Sequence, residues 1–321
     1  MSAMKMILDI DTGVDDCLAI AYALGSPEVE LIGITGTYGN VLLETGLQND
    51  VALLSMFGHP EVPVFAGFPH ARATEGFEVL EISAFIHGKN GIGEVEIPSA
   101  DRPIESKSAS DFMVEAVREY GSDVVIVATG PMTNLAGAIE KDPSFKDNAR
   151  IVIMGGALTV PGNCNDVMEA NISQDPEAAD LLFRSGAKVT MIGLDVTLQT
   201  LLTYEHTKTW RELGTPAATA LADITDFYIK AYETTAPHLG GCGLHDPLAV
   251  AVAVDPSLVT LFPCNLKVDL HDPVRGRTIC DEKRLNDPEK TAQVAIGVDV
   301  DRFLDEFMTR ITNMLKEVDN G

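Results

Sequence analysis

A single α/β domain, carrying a mostly parallel open sheet flanked by helices, is predicted by three features of the sequence. Short apolar runs recur at 5–10, 29–34, 62–66, 123–128, 150–154 and 188–193. Segments with apolar residues at helical spacing fill much of the space between them, at 14–24, 43–57, 110–120, 135–140 and 176–185. Small or polar residues follow the runs, as expected where a ligand lies across the strand ends. Such alternation of strand and helix calls for parallel strands covered on both faces. No low-complexity linker or internal repeat divides the 321 residues, so one domain spanning 1–321 is expected.

The first run empties into acid. Residues 7–16 read Ile-Leu-Asp-Ile-Asp-Thr-Gly-Val-Asp-Asp, placing Asp9, Asp11, Asp15 and Asp16 at the carboxyl end of a strand. Gly13 stands in the turn, where close backbone approach is easiest. N-capping accounts for one or two aspartates at a helix start, not for four. Four neighbouring carboxylates stay ionised together only with positive charge among them. Oxygen ligands of this kind suit a hard cation such as Ca²⁺ or Mg²⁺.

The later strand ends add to this. Thr35-Gly-Thr-Tyr-Gly-Asn40 follows the second run, and Thr129-Gly-Pro-Met-Thr-Asn134 the fourth, with Thr133 placed to cap the next helix. Met154-Gly-Gly ends the fifth. Residues 72–98, with Gly at 76, 88, 91 and 93, read as a long loop of the kind that is often functional. The loop at 162–171 offers Asn163, Glu169 and Asn171 ahead of Asp175-Pro176. Carboxamides with one carboxylate suit a polyhydroxylated sugar, whose hydroxyls both donate and accept; Asn and Asp also simply populate turns. His245-Asp246-Pro247 precedes an apolar helix, which Asp246 could cap with Pro247 at its first position.

Towards the C-terminus, residues 205–235 read as largely helical and are followed by a Gly-rich turn at 239–244. Residues 264–298 read as a small added β element with a hairpin turn at 272–276. The segment 300–318 puts Phe303, Phe307, Ile311 and Leu315 on one stripe of a closing helix.

Composition limits the partners. The net charge is −25, from 23 basic and 48 acidic residues, which argues against nucleic acid and against an anionic membrane surface. A small neutral or cationic ligand, helped by a metal, fits better. The five cysteines are scattered with no Cys-x-x-Cys pair, so neither a disulfide framework nor a zinc site is indicated. Reduced thiols in a cytoplasmic protein are the simplest reading, and the first strand begins too early for a signal peptide.

Together these blocks resemble the nucleoside hydrolase family. Asp9-x-Asp11-x-Gly13-x-Asp15-Asp16 is similar to its N-terminal signature, and the blocks at 129–134, 154–156, 169–179 and 245–247 follow in the family's order. The resemblance covers roughly residues 5–310 and implies a Rossmann-like fold and an inosine-uridine-preferring-like N-ribohydrolase. It implies one Ca²⁺, with carboxylates from Asp11, Asp16 and Asp246 and a backbone carbonyl from Thr129. Asp11 matches the general base, acting on a water at the metal. Asp15 matches a contact to a ribose hydroxyl, and Asn40, Met154, Asn163, Glu169 and Asn171 match other positions lining the ribose. His245 matches a residue assisting the leaving base, His87 one approaching the nucleobase, and Tyr232 a family tyrosine. Asp9 is left to support the others. Homo-oligomers, dimers or tetramers, are usual in the family.

Some positions depart from the pattern. Ala170 stands where inosine-uridine-preferring members often carry an aromatic residue near the sugar, no arginine follows Tyr232 where some members have one, and Trp210 lies outside the blocks. The His245 match leans towards the broad or pyrimidine-accepting branch. Two other readings compete. The opening Asp9-x-Asp11 also resembles Mg²⁺-dependent phosphatases of the haloacid-dehalogenase type, and the same scaffold could bind a nucleoside or sugar without catalysis.

Overall fold

The computed structural model describes residues 3–318. The strands are β1 (Met4–Ile10), β2 (Val29–Gly36), β3 (Val64–Ala66), β4 (Val124–Ala128), β5 (Arg150–Met154), β6 (Lys188–Ile192), β7 (Leu201–Leu202), β8 (Cys242–Gly243), β9 (Val259–Cys264), β10 (Leu266–Val268), β11 (Thr278–Cys280) and β12 (Ala292–Val298). Eight of them form one sheet in the order β3-β2-β1-β4-β5-β6-β12-β9. Neighbours run parallel except β12 and β9. Of the added β element expected over 264–298, the β10–β11 pair stands apart while β12 joins the main sheet between β6 and β9, and β7–β8 is a second short antiparallel pair.

The helices are α1 (Val14–Leu24), α2 (Leu43–Met56), α3 (Glu81–His87), α4 (Ala109–Tyr120), α5 (Thr133–Lys141), α6 (Phe145–Asn148), α7 (Ala170–Gln174), α8 (Pro176–Arg184), α9 (Leu194–Thr197), α10 (Tyr204–Arg211), α11 (Pro216–Thr235), α12 (His245–Val254) and α13 (Val300–Val318). Alternation along β1 sorts the core. Met6, Leu8 and Ile10 join the apolar cluster under α1, α12 and α13, while Ile7 joins the cluster with α4, α5 and α8. The stripe expected on α13 is there: Phe303, Phe307, Ile311 and Leu315 are fully buried, and Phe307 stacks on Tyr22 at 6.0 Å.

The strand order places the site. From β1 the chain moves outward through β2 and β3, then returns to lay β4 against the other side of β1. This reversal leaves a crevice at the carboxyl ends of β1 and β4, where open α/β sheets bind ligands. Asp9, paired in register with Ala128, stands at its edge.

Three local expectations change. The 72–98 stretch is not all loop, because α3 forms within it. This helix is only seven residues long, with Leu80, Ile82 and Phe85 about half exposed, so no apolar stripe marks it in the sequence. The helical stretch 205–235 divides at Gly214, whose φ is +75°. Thr215 then caps α11 by accepting from Ala218 N–H at 3.1 Å, with Pro216 in its first turn. Thr133 is not a cap: α5 begins there with Met132 at the N-cap, and the Thr133 hydroxyl instead donates to Asp175 at 2.8 Å.

Candidate active site

The turn from β1 into α1 brings the aspartates into the crevice, and each is held differently. Asp9 accepts from Thr35 Oγ1 at 2.7 Å and Asn134 Nδ2 at 2.8 Å, which ties the end of β1 to β2 and α5. Asp11 accepts from both ends of Asn40, the backbone N–H at 2.7 Å and Nδ2 at 3.2 Å. Gly39 makes this embrace possible, because a Cβ there would lie 1.9 Å from Asp11 Oδ2. Asp16 accepts from Gly13 N–H at 2.7 Å and from Thr129 Oγ1 at 2.7 Å. Asp15 accepts from the Tyr228 hydroxyl at 3.3 Å, and its buried Oδ1 has no hydrogen-bond partner.

Asp246 arrives from far along the chain. Helix α12 starts at His245 with Leu244 as its N-cap, so Asp246 does not cap the helix. One carboxylate oxygen each of Asp15, Asp16 and Asp246 lies within 4.8 Å of the others. Asp11 presses on Asp16 from beside this trio and is not part of it. The Thr129 carbonyl, expected to face a metal, accepts from Asn171 Nδ2 at 2.6 Å and keeps a second lone pair.

Burial drives the electrostatics. It pushes Asp9 up to about 7, Asp15 to about 7 with help from the charge of Asp16, and Asp16 to about 6. Asp11 and Asp246 also rise well above the ordinary carboxylate range, through burial and then neighbouring carboxylates. A positive ion among the oxygens of Asp15, Asp16 and Asp246 would oppose the upward shifts of those carboxyls. An all-oxygen donor set with an orphaned Asp15 oxygen therefore fits a hard divalent cation.

Above the carboxylates lies a cavity of about 240 Å³. Its lining includes Asp15, Asn40, His87, Thr129, Met154, Asn163, Glu169, Asn171, Tyr232, His245 and Asp246, while Asp11 and Asp16 sit beneath it, fully buried. Glu169 caps α7 by accepting from Asn171 N–H at 2.9 Å and Ile172 N–H at 3.1 Å, and reaches Gly156 N–H at 2.8 Å. Asn171 Nδ2 also touches the Met154 carbonyl at 3.2 Å, which ties α7 to the end of β5. Asn163, on the exposed rim, closes its own loop by accepting from Ala170 N–H at 3.0 Å.

Burial disfavours the charged form of His87 and of His245. His87 Nδ1 accepts from Val14 N–H at 3.1 Å, so the ring proton sits on Nε2. Its 3.7 Å approach to Asp15 Oδ1 is therefore a contact and not an ion pair. Burial, with some contribution from His245, brings His87 down to about 3; burial brings His245 down to about 4. His245 bridges Thr197 Oγ1 and the Tyr232 hydroxyl, each at 2.7 Å.

Tyr228 and Thr197 are site residues that belong to none of the sequence blocks. Tyr228 can be found from Tyr232, because residues four apart on a helix share a face. Thr197 had no local signal, since only the packing of α9 against α12 brings it to His245. Trp210 is buried in α10 beside Phe307, away from the cavity.

These features can be set beside known proteins. The family described as inosine-uridine preferring nucleoside hydrolase matches residues 6–305. The structure of a purine-preferring ribonucleoside hydrolase from Gardnerella vaginalis is 68% identical, with a TM-score of 0.97, covering 98% of this chain and 99% of that one. Uridine nucleosidase 1 of Arabidopsis thaliana is 37% identical over 285 residues, 88% of this chain and 84% of its own. The pyrimidine-specific ribonucleoside hydrolase RihA of Shigella boydii is 34% identical over 311 residues, 96% of this chain and 98% of its own.

Proposed function

The chain belongs to the inosine-uridine preferring nucleoside hydrolase family and is a ribonucleoside hydrolase, and on that premise we propose that it cleaves the N-glycosidic bond with a Ca²⁺ ion in the aspartate nest and Asp11 as general base. The observation that carries this reading is the convergence of Asp11, Asp15, Asp16 and Asp246, all buried, at the floor of a cavity lined by Asn40, Glu169, Asn171, His87 and His245. Asp11, Asp16, Asp246 and the Thr129 carbonyl would hold the ion; Asp16 and Asp246 already lie within 4.8 Å of each other and of Asp15, and Asp11 would reach it from beside them. Bound there, the ion supplies positive charge that lowers the pKa of an adjacent water, less strongly than Zn²⁺ does.

The chain's own residues do the rest. Asp11, its carboxylate fixed by Asn40, takes a proton from the attacking water, a step contributing about 10²–10⁴-fold. Asp15 holds a ribose hydroxyl near the reacting carbon, while Asn40, Met154, Asn163, Glu169 and Asn171 line the sugar. Positive charge developing on the ribosyl ring, as in other glycoside cleavages, is favoured by this anionic floor. On the base side, His87 presents its Nε2–H and Tyr232 a hydroxyl polarised by His245.

Purine nucleosides are the proposed preferred substrates, because the 68% identical relative is named for that preference. The leaning towards pyrimidines drawn from His245 is supported only by relatives at 34–37% identity. The phosphatase and non-catalytic readings find no support among these relatives. A cytoplasmic place is proposed too, in keeping with five free thiols; among the described residues no helix is long and apolar enough to cross a membrane. A homo-oligomer is proposed as well, for light scattering to test.

Incubation with inosine, adenosine, uridine and cytidine, followed by assay of reducing sugar, tests the reaction and the base preference together. Asp11→Asn is expected to lose about 10²–10⁴-fold in kcat while keeping at least part of its calcium. Undiminished turnover in that variant, or after thorough metal removal, would sink the corresponding assignment.

A further inference from the structure

Asp50 on α2 has no place in the chemistry above, yet it is fully buried. Its Oδ1 accepts from the Thr12 hydroxyl, and its Oδ2 has no partner. The influences on it are burial, Thr12 and the charge of Asp16, with no cation among them. A buried carboxyl without a counter-charge is costly to the fold, so a stabilising or functional return is expected of it.

Its one partner points to that return. Thr12 lies between Asp11 and Gly13, in the loop that carries the aspartates. The next two backbone amides of that loop are both committed to the site: Gly13 N–H to Asp16 at 2.7 Å and Val14 N–H to His87 at 3.1 Å. Anchoring Thr12 therefore sets the direction in which both amides point.

The residue before Asp50 acts on a second loop. Asn49 Nδ2 donates to the Asn90 carbonyl at 2.7 Å, just beyond His87. Asn90 in turn organises its own turn, accepting from Ile92 N–H at 3.0 Å and Glu94 N–H at 2.9 Å. The two loops meet at Gly91, whose φ is +80° and where a Cβ would lie 2.6 Å from the Thr12 carbonyl and 3.2 Å from Asn49 Nδ2.

We infer that Asn49 and Asp50 are positioning residues that clamp the aspartate loop and the His87 loop together from beneath, so that Asp16 and His87 keep their places across the cavity. The inference rests on the hydrolase reading for its kinetic consequences, but not for its effect on the cation nest.

The test uses the full chain and the variants Thr12→Val, Asp50→Ala, Asp50→Asn and Thr12→Val/Asp50→Ala. Calcium alone is titrated into metal-stripped protein by calorimetry, and kcat and KM are measured on the preferred nucleoside. Thr12→Val and Asp50→Ala are each expected to weaken calcium binding and kcat/KM by about 3- to 10-fold, the scale of one lost hydrogen bond. The double variant should be no worse than the poorer single one, and Asp50→Asn, which keeps the acceptor oxygen, should recover most of the loss. A clamp is ruled out if both single variants melt lower yet keep calcium affinity, kcat and KM, or if Asp50→Asn fails as Asp50→Ala does. Should Asp50→Ala not fold, Thr12→Val decides by the same readouts. Absence of base release by the unmodified protein would overturn the hydrolase reading, while the calcium titration would still decide the clamp.

Discussion

Gly39 leaves no room for a side chain: its missing Cβ is where Asp11 Oδ2 sits. Gly39→Ala should push the carboxylate out of the grip of Asn40 and lower kcat/KM by about 10²-fold, the usual consequence of a misplacement near 1 Å. Steady-state kinetics beside an unchanged circular dichroism spectrum would check it. Tyr228→Phe removes the 3.3 Å bond to Asp15 and the hydroxyl's interaction with Tyr232, so a milder loss of about 2- to 12-fold in kcat/KM is expected. At this scale the sequence was most legible where chemistry is clustered. Four acids in eight positions announce a site whatever the fold, and the nearby asparagines and His245 gained meaning from them. Thr12 and Asp50 could not be read that way, because a Thr–Asp pair separated by 38 positions has no pattern until α2 is docked.

Among the elements, the buried strands and the amphipathic helices were readable, while α3 and the break between α10 and α11 were not. Helix α13 matches its expected span because four apolar residues on one stripe leave only one face to bury. Phe307→Ala on that stripe should cost about 3–5 kcal/mol, since the ring packs on Tyr22, Phe303 and Trp210. Denaturant titration would register it, and kcat of the folded enzyme should not change, because α13 contributes nothing to the cavity. Helix α3 escaped notice for the opposite reason. Its seven residues carry His87 into the site while Ile82 and Phe85 remain about half exposed, so burial imposes no period on its sequence.

For the whole molecule, pH and calcium should act on stability through the same carboxylates. In metal-free protein Asp9 and Asp15 near 7 and Asp16 near 6 bind protons more readily folded than unfolded, where carboxyls titrate near 3.9. Their contribution is present at low pH and lost as pH rises through 6–7. His87 near 3 and His245 near 4 work in the other direction, losing their contribution as pH falls below about 6.5. Asp11, Asp50 and Asp246, also raised by burial, act with the carboxyls. The melting temperature of metal-free protein should therefore rise as pH falls from 8 through 6 and go on rising, less steeply once the histidines offset part of the gain, towards pH 4. Calcium, by binding the folded state, should raise it more at pH 8 than at pH 6. A metal-free protein that melts steadily lower from pH 8 to 6.5 would contradict this balance. Strand alternation made the parallel sheet legible at this scale, whereas the reversal that sets β4 beside β1 is a property of packing and not of any one segment.

Asp246 has a consequence for how the molecule is made. The early aspartates leave the ribosome first, while Asp246, the last acid of the nest, lies 230 residues beyond Asp16 and is brought to it by the packing of α12 on α1. Contacts so distant along the chain form late and slowly. Cation capture thus becomes a test of completeness, since a chain cut short before α12 keeps its acids but lacks the last arm to close on them. Calcium is expected to bind the finished protein more tightly than a chain that ends before α12.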